Sequence, residues 1–212
     1  MGAEPEFFND RGEIKVTKNR LPHWQQDGCT YFITFRLADS LPKRLLDEWK
    51  EERRIWLLKH PEPWGVEIEQ AYHQRFSAAR ERWLDAGHGD CVLRCSLARE
   101  AFVRCIDLQD CEVWSFVVMP NHVHVLLSLS AELELPAFIQ RLKGGSSFAI
   151  NQSIGRSGPL WARDYFDRLI RDQNHFFNCA RYIRRNSLKA NLGRGAYTLV
   201  ESKYVQQMLG GS

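Results

Sequence analysis

"VVMPNHVHVLL", Val117 to Leu127, sets two histidines, His122 and His124, one residue apart in an otherwise apolar run. Side chains alternate between faces along a strand, so His122, His124 and Leu126 share one face and Val123, Val125 and Leu127 the other. Pro120-Asn121 makes a turn into this strand from the preceding one, "CEVWSFVVM". A buried polar group without a partner costs ~1–3 kcal/mol, so two adjacent imidazoles call for partners. A shared divalent cation is one answer; two separately hydrogen-bonded core histidines are the other. The spacing leaves both open, and no aspartate follows at the interval of a metallo-hydrolase histidine cluster.

Outward from this hairpin, periodicity predicts the remaining elements. "TYFITFRL" (30–37) is β-branched and aromatic, a strand buried on both faces. "SLPKRLLDEWKEERRIWLLK" (40–59) and a second segment near 67–85 have helical spacing and flank the proline-rich break "HPEPWG". "CVLR" reads as a short strand and "SLAREAFVRCIDLQ" as an amphipathic helix. "LELPAFIQRLKGGSSFAINQSI" reads as helical on both sides of Gly144-Gly145, "LWARDYFDRLI" as extended, and "NHFFNCARYIRRNSLKANL" as a helix stopped by Gly193. Residues 1–28 form an irregular leader, and 193–212 a polar tail or peripheral helix.

The resulting order is that of an α+β fold. It is a ferredoxin-like β-α-β-β-α-β antiparallel sheet with a helical insertion at about 41–86, after strand 1, and an added C-terminal helix. Residues 29–192 make one domain, and its third strand, the histidine strand, lies next to the first, inside the sheet.

Composition agrees with a globular chain: 44% of its 212 residues are hydrophobic and 12% aromatic. No stretch approaches the roughly 20 apolar residues of a membrane span, and the N-terminal residues lack an export signal, so a cytoplasmic protein without a membrane partner is expected. Six cysteines without a secretory signal suggest reduced thiols. Cys91, Cys95 and His88 make an incomplete zinc set. The net charge of +3 hides an asymmetry: residues 141–194 carry 11 Lys/Arg against 3 Asp/Glu, and the remainder 18 against 23. A basic C-terminal half fits a polyanion footprint or a solvated helical surface equally well.

In the last long helix, Phe176, Cys179, Ala180 and Ile183 form a core stripe at 100° per residue. Asn178, Tyr182 and Asn186 follow one border at i, i+4, i+8. That border can present a phenol and an amide oxygen to the histidine strand, making Asn186 a candidate third metal ligand and Tyr182 a candidate nucleophile. Tyr165, in "RDYFDR", is the rival phenol; it sits among strand-like neighbours without a ligand one helical turn away, and with Trp161 it reads as a packing or base-stacking residue.

"VVMPNHVHVLL" joined to "RYIRRNSLKANL" resembles the single-tyrosine HUH transposases, and in particular the REP-associated tyrosine transposases. "LPHWQQDGCTYFITFRLADSLP" and "GPLWARDYFDRLIRDQNHF" resemble that family's flanking segments, so the likeness runs from about Leu21 to Leu192. The resemblance implies that His122 and His124 bind Mg²⁺ or Mn²⁺ with Asn186 as third ligand, and that Tyr182, on what is then a catalytic helix, attacks a single-stranded DNA phosphodiester to give a 5′-phosphotyrosine. The family pattern continues Asn-Pro after the tyrosine, whereas this chain has Asn186-Ser187.

Its implied substrate is single-stranded DNA with a hairpin, a REP-like palindrome, handled by a monomer or homodimer. Lys143, Arg163, Arg168 and Arg171 border the expected site and are the candidate DNA contacts. Lys189, one turn beyond Asn186, is a further candidate and would favour a phenolate at Tyr182. Two rival functions stay in view: a domesticated, non-cleaving repeat-DNA-binding or regulatory protein, and an unrelated metal-dependent hydrolase.

Overall fold

The computed structural model describes residues 4–18, 22–61, 65–107, 111–193 and 195–210. A small antiparallel hairpin, β1 (Lys15–Lys18) and β2 (Pro22–Gln25), lies within the segment expected to be irregular. The chain just before it is pinned to the main body: Thr30 N donates to Glu6 O, and Phe8 N to Ile170 O.

β3 (Thr30–Leu37) leads into the insertion. This comprises α1 (Lys43–Lys59), α2 (Val66–Tyr72), a π-helical turn (His73–Ser77) and α3 (Ala78–Asp85). Then follow α4 (Ser96–Asp107), β4 (Cys111–Val118), β5 (His122–Leu129), α5 (Leu135–Ser153), β6 (Trp161–Leu169), α6 (Gln173–Lys189), β7 (Thr198–Glu201) and α7 (Lys203–Leu209). The main sheet has the order β6-β3-β5-β4-β7, antiparallel throughout. Its first four strands are the expected ferredoxin-like arrangement, and the histidine strand β5 is at the centre.

Several local readings differ from the structure. "CVLR" is a 3-10 turn (Val92–Arg94), because Cys91 adopts a left-handed backbone with φ 49° that breaks extension. α5 runs unbroken through Gly144-Gly145. Each glycine costs only about 1 kcal/mol relative to alanine, and burial of Phe138, Ile139, Leu142 and Ile150 holds the helix to the sheet. α6 ends at Lys189, with Asn191 rather than Gly193 in the left-handed conformation at φ 52°. The tail supplies β7, a fifth strand paired to β4, and α7, capped by Ser202. The proline-rich break at 62–64 and the last helical reading at 108–109 lie outside the described residues.

The two faces of the sheet carry separate cores. α4 and α5 cover one, where Phe35, Phe102, Phe116, Val123, Val125 and Phe138 are buried. α6 covers part of the other through Phe176, Ala180 and Ile183, against Phe32, Val117 and Leu126. A bulge in β4 between Val113 and Ser115 shifts the alternation, so that Trp114 joins the α6 side while Phe116 and Val118 join the other. The rest of the α6 side lies beneath the insertion.

Candidate active site

His122 and His124 project from β5 on the α6 side, at 1% exposure each. Their ring centroids are 4.7 Å apart, nearly perpendicular. The hairpin and the neighbouring strand orient both rings. Asn121 donates its Nδ2 to the carbonyls of Leu84 (3.1 Å) and His88 (3.3 Å), so its Oδ1 is left to accept from His122 Nδ1 at 2.8 Å. That fixes the His122 tautomer with a lone pair on Nε2. His124 Nδ1 pairs with Thr34 Oγ1 at 2.8 Å, across the register that sets Thr34 opposite His124. Both Nε2 atoms are buried without a hydrogen-bond partner.

α6 completes the group. Asp172 caps the helix by accepting from His175 N at 2.7 Å, and the stripe Phe176, Cys179, Ala180, Ile183 is buried as its spacing predicts. This rotation brings the Tyr182 ring to 5.1 Å from the His124 ring, edge-on. Phe32 wedges beside both, stacked on His124 at 5.5 Å and edge-on to Tyr182 at 5.8 Å. Asn186, 1% exposed, lies against His122 and Tyr182, and neither of its amide atoms has a well-formed hydrogen bond. Tyr182 Oη is likewise buried without a partner. Asn178, on the same helix border, is exposed and accepts from Arg181 at 3.2 Å.

Burial sets the protonation of these groups. It pushes His122 down to about 3 and His124 well below its ordinary value, with Lys189 and Arg80 adding to the effect. It raises the Tyr182 phenol, and the carboxylates of Glu81 and Asp85 raise it further. The site therefore holds neutral imidazoles beside a protonated phenol. Among the described residues no cluster of three His, Cys, Asp or Glu side chains could hold a metal. Two imidazole nitrogens and an amide oxygen can do so, since all three are uncharged donors left unsatisfied together. The second-layer bonds to Asn121 and Thr34 are of the kind that orient metal-binding histidines.

The basic residues singled out from sequence divide. Lys189 stands at the site: its Nζ is 5.7 Å from the Tyr182 ring centroid, held by Asp85 at 3.0 Å and Glu81 at 3.8 Å. Arg168 is on the same face and donates to His73 Nδ1 of the insertion at 3.1 Å. Lys143, on α5, donates to the carbonyls of Ala162 (2.6 Å) and Arg163 (3.0 Å), on the far side of β6. Arg163 and Arg171 are exposed, the latter between β6 and α6. Tyr165 and Trp161 belong to the opposite core, where Trp161 donates to Ser146 Oγ at 3.0 Å.

Four participants escape a sequence reading. Thr34 becomes visible only through strand register, and Asn121 only through its two carbonyl acceptors. Arg80 and Glu81, in "AARERW", look like ordinary surface charges. α3 nevertheless carries both to the site, with the Arg80 guanidinium 4.0 Å from the Phe166 ring centroid.

The ferredoxin-like sheet thus carries paired histidines on its central strand, β5, faced by a tyrosine on α6, the helix that follows β6. Residues 94–186, from the turn just before α4 to Asn186, match the family described as "Transposase IS200 like". The matched segment contains both histidines, Tyr182 and Asn186. Among solved structures, the chain is similar to a REP-associated tyrosine transposase bound to a REP hairpin, at 13% identity over 84% of this chain and 77% of that one, TM-score 0.48. It is also similar to a candidate transposase from Deinococcus radiodurans R1, at 14% identity over 85% of this chain and 98% of that one, TM-score 0.32. No curated protein matches.

Proposed function

We propose that this chain is a single-stranded DNA endonuclease and strand transferase. Its substrate class is DNA carrying hairpin-forming repeats, and Tyr182 is its nucleophile. The supporting observation is the coincidence on one sheet face of His122 Nε2, His124 Nε2, Tyr182 Oη and the Asn186 amide, all buried and none with a well-formed hydrogen bond. A core built for stability pairs such atoms; four such side chains together ask for a ligand.

Tyr182 Oη attacks the scissile phosphorus. An Oη–P bond forms, the bond from phosphorus to the 3′ oxygen breaks, and the phenolic proton leaves as the 3′ oxygen gains one. The resulting 5′-phosphotyrosine conserves the bond energy, so a 3′-hydroxyl can reverse the step on the same or another strand. Phe32 and the α6 packing hold the phenol beside the imidazoles, which stay neutral and oriented through Asn121 and Thr34. His122, His124 and Asn186 would hold a divalent cation, which supplies Lewis acidity for the phosphate when bound. Imidazole donors suit Mn²⁺ better than Mg²⁺.

The test is a Mn²⁺-dependent cleavage assay on a single-stranded hairpin substrate, resolved on a denaturing gel. The wild-type chain is expected to cut and to leave a covalent adduct; Tyr182→Phe is expected to do neither. Unchanged cutting by the variant would reject the nucleophile. Cutting without an adduct would favour a hydrolase, and hairpin binding without cutting a regulatory protein.

A further inference from the structure

The insertion does more than cover the sheet. Between it and strands β3 and β6 lies a cavity of about 370 Å³, within the ~300–1,000 Å³ span of ordinary ligand sites. Arg36, Lys50, Arg53 and Arg80 line it, against the single carboxylate of Asp164. Trp49 and Phe166 supply aromatic surface, with Arg53 5.9 Å from the Trp49 ring and Arg80 4.0 Å from that of Phe166.

Two of these cations are already committed. Arg36 donates to Leu37 O and Ser40 Oγ, and Arg53 to Tyr72 Oη at 2.6 Å. Arg80 is different, because its Nε is buried without a partner. Lys50 stands exposed on α1 and lines the cavity. Four like charges around one concavity repel one another, and an anion entering it relieves that repulsion. Thr34 ties the cavity to the site: it lines the cavity while its hydroxyl pairs with His124.

We infer that this cavity is a subsite for one nucleotide of the single-stranded DNA flanking the cleaved phosphodiester. The cations take its phosphate, Arg80 and Lys50 foremost, and the aromatic lining takes its base. Cations interleaved with aromatic rings are the arrangement that binds single strands without reading sequence. The inference rests on the proposed nuclease reading for the identity of the ligand. It assigns the insertion a role in holding substrate next to Tyr182.

The experiment measures binding rather than cutting. Full-length protein in chelator is titrated with labelled hairpins, with and without a single-stranded flank, across a range of salt. Lys50→Ala and Arg80→Gln are each expected to weaken binding of the flanked hairpin and to flatten its log-affinity against log-salt slope by about 0.7 per lost phosphate contact. Both are expected to leave the blunt hairpin unchanged. One abasic position in the flank is expected to weaken wild-type binding about tenfold.

Equal losses on both DNAs, or an unchanged slope in Lys50→Ala, would overturn the subsite; that variant alters an exposed side chain, so misfolding does not confuse the result. A wild-type chain that binds the flank with the expected slope but forms no covalent adduct would sustain the subsite and remove the nuclease reading.

Discussion

The two faces of the central sheet are built on opposite terms. Under α4 and α5, apolar residues interlock, with Phe102 meeting Phe35, Phe116 and Trp161 at centroid distances of 5.9–6.1 Å. Under α6 and the insertion, the same strands present histidine, threonine and arginine, and several buried polar atoms lack partners. One sheet thus carries a stabilising face and a face whose polar groups lower stability. A protein tolerates the second only where the first is sufficient.

The largest expected effect tests the stabilising face. Phe102 is fully buried, and Phe102→Ala is expected to cost ~3–5 kcal/mol through lost transfer energy and the cavity left behind. Urea unfolding monitored by tryptophan fluorescence measures it. A cost below about 1 kcal/mol would mean that the two faces do not differ as described.

A smaller effect tests the polar face through pH. His122 and His124 are held below their ordinary value in the fold, so the unfolded chain binds more protons than the native one below about pH 6.5. Stability is therefore complete above pH 6.5 and falls as pH drops from there toward the folded values, about 3 for His122. In chelator the loss is expected to approach about 1.4 kcal/mol per pH unit for each histidine. Urea midpoints at pH 7.5, 6.0 and 5.0 check this, and His122→Gln should halve the slope. A flat profile would place the imidazoles in water, not in the seam.

The contrast between faces also decides what the sequence could disclose. Strand alternation and the 100° step of α6 act through neighbours a few residues apart, so the sheet order, the shared face of His122 and His124, and the inward turn of Tyr182 and Asn186 were all legible. The same step placed Asn178 beside them, yet Asn178 is exposed while Phe176 and Cys179 of the same turn are buried. Nothing local disclosed the insertion's contribution. α1 has no fully buried residue to betray a docking face, and Arg80 is distinguished only by Phe166, 86 positions away in the sequence. β7 is a four-residue edge strand, "TLVE", too short for alternation to register. The double glycine of α5 misled for the opposite reason: tertiary burial outweighed a local preference.

The smallest effect concerns Asn186, where both faces can be compared in one substitution. Leucine has nearly the shape of asparagine but offers nothing to hydrogen-bond. In the core under α4, such a swap of a satisfied polar residue would break bonds and destabilise. At Asn186 both amide atoms are buried without well-formed bonds, and a buried unsatisfied group costs about 1–3 kcal/mol. Asn186→Leu in chelator is therefore expected to raise stability by about 1 kcal/mol, the low end, because leucine must also fit against Tyr182 and His122. The same variant should lose the thermal stabilisation that Mn²⁺ is expected to give the wild-type chain, since ligand binding to the native state raises stability in proportion to occupancy. Differential scanning fluorimetry with and without Mn²⁺ reads both effects from one sample. A variant destabilised in chelator would mean that the amide already has partners in the resting fold, and the polar seam would then be structural rather than reserved for a ligand.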